Sequence, residues 1–318
     1  MELLDTHESR TLEQIRRCAG QLVITTLNDP KTVEIMLNPD GSLWVEKLGM
    51  PCHRIGNLNS SMALALMQCI AGFYSKELTA ENPLLECEFP IDGSRFAGQI
   101  PPIVSKPTFT IRKRAISVYT LEQYVESGIM NSSQYDVICK AVAEHKNILV
   151  IGGTGSGKTT LINAIIQKMV DLNPTERPVI IEDTGEIQCT AKNAVNFHTS
   201  LNVNMTKLLK TTLRMRPDRI LVGEVRGEEA LDLLMAWNTG HPGGAATLHA
   251  NDAKAGLDRL AMLITMSDHS PDHIEKLISE VVDLVVCISR TDQGRTIKEI
   301  ISVTGFNPVT QEYEIEKL

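Results

Sequence analysis

Apolar positions along this chain follow two periods, and the way they alternate divides it in two. Over roughly the first 112 residues the pattern is mixed. Helical spacing at 11–26 and 60–74 predicts two helices. Segments 33–37 and 43–47 read as strands joined at Asn38-Pro39-Asp40-Gly41, residue types that each favour a turn. A second hairpin is predicted from 87–91 and 95–99 around Asp92-Gly93-Ser94, and a further strand at 108–112. Beyond residue 119, short apolar runs alternate with helical stretches. The runs fall at 147–151, 178–182, 219–225, 245–249 and 281–288, and 297–318 is expected to add one or two strands. Strands apolar at nearly every position suit a sheet covered by helices on both faces. The fold class predicted is α/β, with a smaller α+β N-terminal domain at 1–113, a linker at 114–125 and the larger domain at 126–318.

Composition narrows the function classes. A net charge of −8 and only 4% aromatic residues argue against direct nucleic-acid binding, which needs a basic groove and stacking rings. The seven cysteines include no CxxC pair, so neither a disulfide framework nor a tetracysteine metal site is expected. The start, Met-Glu-Leu-Leu-Asp-Thr-His-Glu, lacks the basic and apolar regions of a signal peptide. The longest apolar stretch, 62–72, is well short of the roughly 20 residues that cross a bilayer. A cytoplasmic protein is expected, held at any membrane by partners.

The chemistry begins at Gly152-Gly153-Thr154-Gly155-Ser156-Gly157-Lys158-Thr159-Thr160. The spacing from Gly152 to Gly157-Lys158-Thr159 is that of a phosphate loop. Its glycines let backbone N–H groups face a polyanion, Lys158 reaches the terminal phosphates, and Thr159 offers a hydroxyl to Mg²⁺. The apolar run before it and the helical spacing after it give the required order of strand, loop and helix. ATP and Mg²⁺ are therefore the expected ligands.

Hydrolysis also needs an oriented water and neutralised charge. One apolar run ends in Glu182-Asp183-Thr-Gly-Glu186, and another ends in Glu224 with Arg226 beyond it. At the carboxyl edge of a sheet such groups face the phosphate loop. Either Glu186 or Glu224 could polarise water or hold Mg²⁺, and a turn-capping role is the simpler alternative for any one of them. His249 ends a further strand and is a candidate sensor of the γ-phosphate, against the simpler reading of a satisfied core histidine. Lys207, Lys210 and Arg214 lie on one predicted helix; a solvated basic face suffices for the lysines, and the arginines nearest Glu224 are the better functional candidates.

The order of phosphate loop, Glu182-Asp-Thr-Gly-Glu186, Leu213-Arg-Met-Arg-Pro-Asp-Arg-Ile-Leu-Val-Gly-Glu-Val-Arg226 and Thr239-Gly-His…Thr247-Leu-His249 resembles the secretion traffic ATPases. These are hexameric motors of type II and type IV secretion and of type IV pili. Arg95-Phe-Ala-Gly-Gln-Ile-Pro-Pro and Phe109-Thr-Ile-Arg-Lys resemble the type IV branch. The resemblance implies a RecA-like P-loop NTPase as the C-terminal domain and a ring-forming N-terminal domain that contributes to the nucleotide site. It makes 152–159 the Walker A loop, Glu186 the water-activating base and Glu224 the Walker B carboxylate near Mg²⁺. Thr159, Glu224 and Asp183 become the candidate metal contacts, and His241 with His249 the histidine box. Arg112 and Arg114 fall where an arginine finger is expected, with a charged linker as the alternative. Gly223 stands where many NTPases carry an aspartate, which leaves the division of labour between Glu186 and Glu224 open. The implied partners are a homohexamer and inner-membrane components of a conjugation apparatus. A nucleic-acid-stimulated motor and a nucleotide-gated scaffold with little turnover are the rival functions.

Overall fold

The computed structural model describes residues 2–47, 50–113, 119–200, 202–267, 270–291 and 294–318, with side chains from residue 9. The chain divides into two compact units, Met1–Ile116 and Ser117–Leu318.

The first unit runs α1 (Glu2–Asn28), β1 (Thr32–Leu37), β2 (Ser42–Lys47), β3 (Met50–Asn57), α2 (Ser60–Phe73), β4 (Leu84–Glu88), β5 (Arg95–Gln99) and β6 (Thr108–Arg112). Its strands form one antiparallel sheet in the order β3-β2-β1-β6-β5-β4. Ile15, Val23, Leu66 and Ile70 of the helices share a core with Ile35, Val45, Phe96 and Ile111 of the strands. The first helix outruns its predicted span and breaks at Gly20, whose φ of 78° a side chain would resist. Strand β3 is unpredicted because no position in it is buried, so it carries no apolar alternation.

The second unit runs α3 (Leu121–Glu126), α4 (Ser132–Ala143), β7 (Ile148–Ile151), α5 (Lys158–Leu172), β8 (Pro178–Glu182), β9 (Val195–His198), α6 (Met205–Thr212) and β10 (Arg219–Val222). It continues with α7 (Glu229–Asn238), β11 (Ala245–Leu248), α8 (Ala253–Ile264), α9 (Ile274–Val281), β12 (Leu284–Thr291), β13 (Gly294–Asn307) and β14 (Glu312–Lys317). The sheet order is β14-β13-β12-β7-β11-β10-β8-β9. From β12 to β9 every pairing is parallel, and β13 and β14 add an antiparallel edge.

The apolar runs have a direct cause. In β7, Ile148 and Val150 enter the core shared with α3, α4 and α5, while Leu149 and Ile151 enter the core shared with α6 to α9. Burying each such side chain stabilises by about 1.5–3 kcal/mol, so both strand faces must be apolar. Helix α3 begins inside 114–125, the stretch read as linker, ends at Glu126, and buries Leu121 and Tyr124 in the first of these cores.

The amino ends of the strands are tied together by buried polar groups. Asn147 donates to Val281 O at 2.8 Å and accepts from Gly244 N at 3.0 Å, while its own N–H donates to Asp283. Arg219, 1% exposed, pairs with Glu176 at 2.5 Å and donates to Gly243 O and Val142 O. His145 completes the cluster, 2.7 Å from Glu176 and 3.2 Å from Arg219. Such groups hold position because a buried donor or acceptor left unmatched is expensive.

Candidate functional site

Strand β7 delivers the chain into the glycine-rich loop, and three glycines there have two kinds of reason. A Cβ at Gly152 would meet the carbonyl of Ile288 and stand 2.5 Å from Ser156 Oγ. Gly155 and Gly157 have φ of 69° and 100°, open to glycine at little cost. Gly157 is the N-cap of α5, and no side chain caps that helix. Asn59, Thr120, Asn131, Asn204 and Asp252 cap α2, α3, α4, α6 and α8, while α7 and α9, like α5, have no side-chain cap. The first amides of α5 are thus left for an anion, in the positive end of the helix dipole.

Two further features fit a phosphate. Ser156 Oγ is buried without a hydrogen-bond partner, a state that a ligand oxygen would relieve. Lys158, 8% exposed, turns its Nζ onto the carbonyls of Gly152 at 3.0 Å and Gly153 at 3.1 Å and onto His249 Nδ1 at 3.2 Å. These are neutral acceptors that an ammonium would exchange for phosphate oxygens. Thr159 and Thr160 follow half-buried on the first turn of α5, and Gly153, Thr154 and Gly155 are exposed.

The three carboxylates at and after the end of β8 separate into three environments. Glu182 is buried and accepts the backbone N–H groups of Glu186 and Ile187, so it folds the segment that follows it. Asp183 accepts from Thr199 Oγ1 at 2.9 Å and faces Arg226 at 3.4 Å. Glu186 Oε2 receives the Thr159 hydroxyl at 3.2 Å, which places it beside the phosphate loop.

From β10 comes Glu224, 2.6 Å from Arg226 and 3.0 Å from His249 Nε2. Burial alone would raise its pKa, but the hydrogen bond and charge of Arg226, with His249 and Lys158, outweigh it and hold the carboxyl below the ordinary range. His249 goes the same way for a different reason: burial first, then the Lys158 ammonium, lower its pKa against the pull of Glu224. A neutral His249 that accepts from Lys158 at Nδ1 donates from Nε2 to Glu224. One chain of contacts therefore runs Lys158, His249, Glu224, Arg226, Asp183. The missing aspartate also has a cause, since a Cβ at Gly223 would stand 2.9 Å from the Cβ of Glu182.

Not every candidate joins this group. His241 precedes β11 and so lies at the amino end of the strand whose carboxyl end carries His249, with its Nδ1 buried and unmatched. In the first unit Arg112 ends β6, exposed, in register between Arg95 of β5 and Glu34 of β1. Burial pushes the Glu34 carboxyl up, opposed by Arg112 and Arg95. Arg114 lies outside the described residues. Glu182 takes the turn-capping role that was the simpler alternative for these acids, whereas sequence reasoning did not single out Asn163, whose amide bonds Glu186 O and Gln188 N from α5. A polar residue inside the otherwise apolar Leu161–Ile166 run was the one signal available for Asn163.

A parallel sheet with a phosphate loop after β7, a histidine after its neighbour β11 and acidic groups at the carboxyl ends of β10 and β8 has the layout of a RecA-like P-loop NTPase fold. Residues 77–305 match the family described as "Type II/IV secretion system protein". The chain belongs to that family, on its type IV secretion side. It is 47% identical to the probable conjugal transfer protein TrbB of Sinorhizobium fredii, over 99% of this chain and 96% of that protein. The crystal structure of the VirB11 ATPase from the Brucella suis type IV secretion system is similar at 26% identity and a TM-score of 0.50, over 93% of this chain and 96% of that one. The pilus retraction motor PilT, at 19% identity and a TM-score of 0.65 over 93% and 82%, shares the fold. No helix among the described residues is long and apolar enough to cross a membrane.

Proposed function

We propose that this chain hydrolyses ATP with Mg²⁺ as a homohexameric ring, and that the ring powers conjugative transfer through a type IV secretion apparatus. The observation that carries the reading is the convergence of Lys158, His249, Glu224 and Arg226 in one chain of contacts, beside the Thr159–Glu186 pair. The names of its relatives supply the setting, a conjugal transfer protein and a secretion ATPase. Residues 1–113 form the ring-building domain and 126–318 the motor domain in this reading, with 114–125 between them.

Thr159, Glu224 and Asp183 are the residues that would hold Mg²⁺, which supplies charge neutralisation at the β- and γ-phosphates. Lys158 exchanges its carbonyl and imidazole partners for phosphate oxygens. Glu186 orients the attacking water and accepts its proton. His249, released by Lys158 and still bonded to Glu224, reports that the γ-phosphate is in place. Arg112 and Arg114 are the arginine-finger candidates, a role whose loss costs about 10³–10⁵ in rate elsewhere. The ring works in the cytoplasm and reaches the inner membrane through its partners.

Phosphate release from the wild type, Lys158→Ala and Glu186→Gln tests the enzyme reading. Loss of the general base is expected to lower the rate by about 10²–10⁴. Equal background rates from all three would leave a nucleotide-gated scaffold. A mass measurement with nucleotide and Mg²⁺ tests the ring, and a strict monomer under every condition would sink it. Many-fold stimulation by DNA would favour a nucleic-acid motor instead.

A further inference from the structure

The segment after the acidic box runs alongside α5, and three side chains spaced four residues apart on that helix meet it. Thr159 Oγ1 donates to Glu186 Oε2 at 3.2 Å. Asn163 Nδ2 donates to Glu186 O at 3.2 Å, and its Oδ1 accepts from Gln188 N at 3.0 Å. Gln167 Oε1 accepts from Thr190 Oγ1 at 3.1 Å. Residues 159, 163 and 167 thus bind residues 186, 188 and 190.

The match has a geometric cause. Four helical residues rise about 6 Å, and two residues of extended chain rise about 6.5 Å. Every fourth position of the helix can therefore meet every second position of the segment without falling out of step. Asn163 is the central rung and the costliest to keep. It is 2% exposed between Ile162 and Ala164, and a buried amide there must find partners for both its ends. Both ends are spent on this segment. The buried Glu182 carboxylate also takes the amides of Glu186 and Ile187.

We propose that the Asn163–Gln167 face of α5 is a register clamp that sets where Glu186 stands relative to the phosphate loop. Asn163 and Gln167 are then positioning residues for hydrolysis, a role that rests on the reading of Glu186 as the water-activating group. The clamp also divides the labour among its rungs. Thr159 would meet Mg²⁺ through an oxygen lone pair, with its O–H either kept on Glu186 or released, and the two lower rungs keep the segment in step when the Glu186 carboxylate turns to water.

The test uses two variants and readouts with and without nucleotide. Asn163→Asp keeps the acceptor for Gln188 N and loses the donor to Glu186 O, whereas Asn163→Ala loses both. In nucleotide-free protein, amide hydrogen exchange at 186–190 should speed by about tenfold while β7 and β10 keep their rates. In steady-state phosphate release kcat should fall by about tenfold, the scale seen when a group that orients an active-site residue is removed, with KM for ATP unchanged. In a Glu186→Gln background, Asn163→Asp should cost less than about twofold more, because the two residues act as one unit. Unchanged exchange at 186–190 in both variants overturns the clamp. A full additional tenfold loss in the Glu186→Gln background overturns the route through Glu186. A Glu186→Gln protein with wild-type kcat removes the role in hydrolysis, and the exchange rates then decide separately whether the clamp exists. Should the Asn163 variants fail to fold, Gln167→Leu at the partly exposed rung carries the same exchange test at 188–190.

Discussion

Strands β10 and β11 carry an arginine and a histidine near each end, and the two ends treat them oppositely. At the amino end, Arg219 is buried and fully engaged with Glu176, Gly243 O and Val142 O. Beyond the carboxyl end, Arg226 is half exposed and shared between Glu224 and Asp183. His241, on the amino side of β11, has a buried nitrogen without a partner, whereas His249 on the carboxyl side bridges Lys158 and Glu224. One end locks the sheet; the other holds charges in contacts that can be exchanged. Parallel strands produce this asymmetry, because all their carboxyl ends open on one side.

The comparison can be broken most directly at Arg219. Arg219→Ala removes a buried guanidinium and leaves the half-buried Glu176 and the Gly243 and Val142 carbonyls without it, and about 3–5 kcal/mol of stability should be lost in urea unfolding. A loss below about 1 kcal/mol would put Arg219 in the class of surface ion pairs. Next in size, Glu224→Gln should lower phosphate release by about 10²-fold, the scale of removing one preorganised electrostatic group. Its unfolding midpoint should stay close to that of the wild type, and a large shift would make Glu224 a structural group like Glu182. Arg226→Ala should change stability by only about 0–1 kcal/mol, since its partners remain in reach of water. Equal losses from Arg219→Ala and Arg226→Ala would erase the distinction between the two ends.

The smallest effect is a pH dependence. The pKa of His249 is held below its ordinary 6.5, so the unfolded chain takes up this proton before the folded one does. The stability tied to this site is complete above pH 6.5 and falls as the pH drops through the folded value. Glu224 is also depressed, but from 4.5, so its loss comes at lower pH. Melting temperature measured below pH 6.5 should therefore decline less steeply in His249→Asn than in the wild type. Identical slopes would show that His249 titrates as an ordinary surface histidine.

Much of this arrangement was legible in the sequence, for reasons that differ by region. The strands β7, β8, β10 and β11 announced themselves because both faces of each are buried, which makes every position apolar. Strand β9 did not, since Val195, Asn196, Phe197 and His198 are nowhere fully buried and the run is only four residues long. The break at Gly20 was equally silent, because one glycine in a helical pattern reads as a tolerated defect until its φ is known.

The phosphate loop was readable because its information is local. Nine neighbouring residues specify both the turn and the groups that face a phosphate, and no distant contact is needed to recognise them. The carboxylates were different. Glu182, Asp183 and Glu186 are chemically alike in a string of letters, and only tertiary contacts with Ile187, Thr199, Arg226 and Thr159 sort them into a buried staple, an ion-pair partner and a candidate base. Asn163 is the clearest case. Its residue type and helical position were plain, but its meaning depends on Glu186 and Gln188, more than twenty residues away, standing within hydrogen-bond reach of its two amide atoms. Local spacing determines elements and ligand class; the role of each polar side chain is decided by which distant groups the packed core brings within about 3 Å.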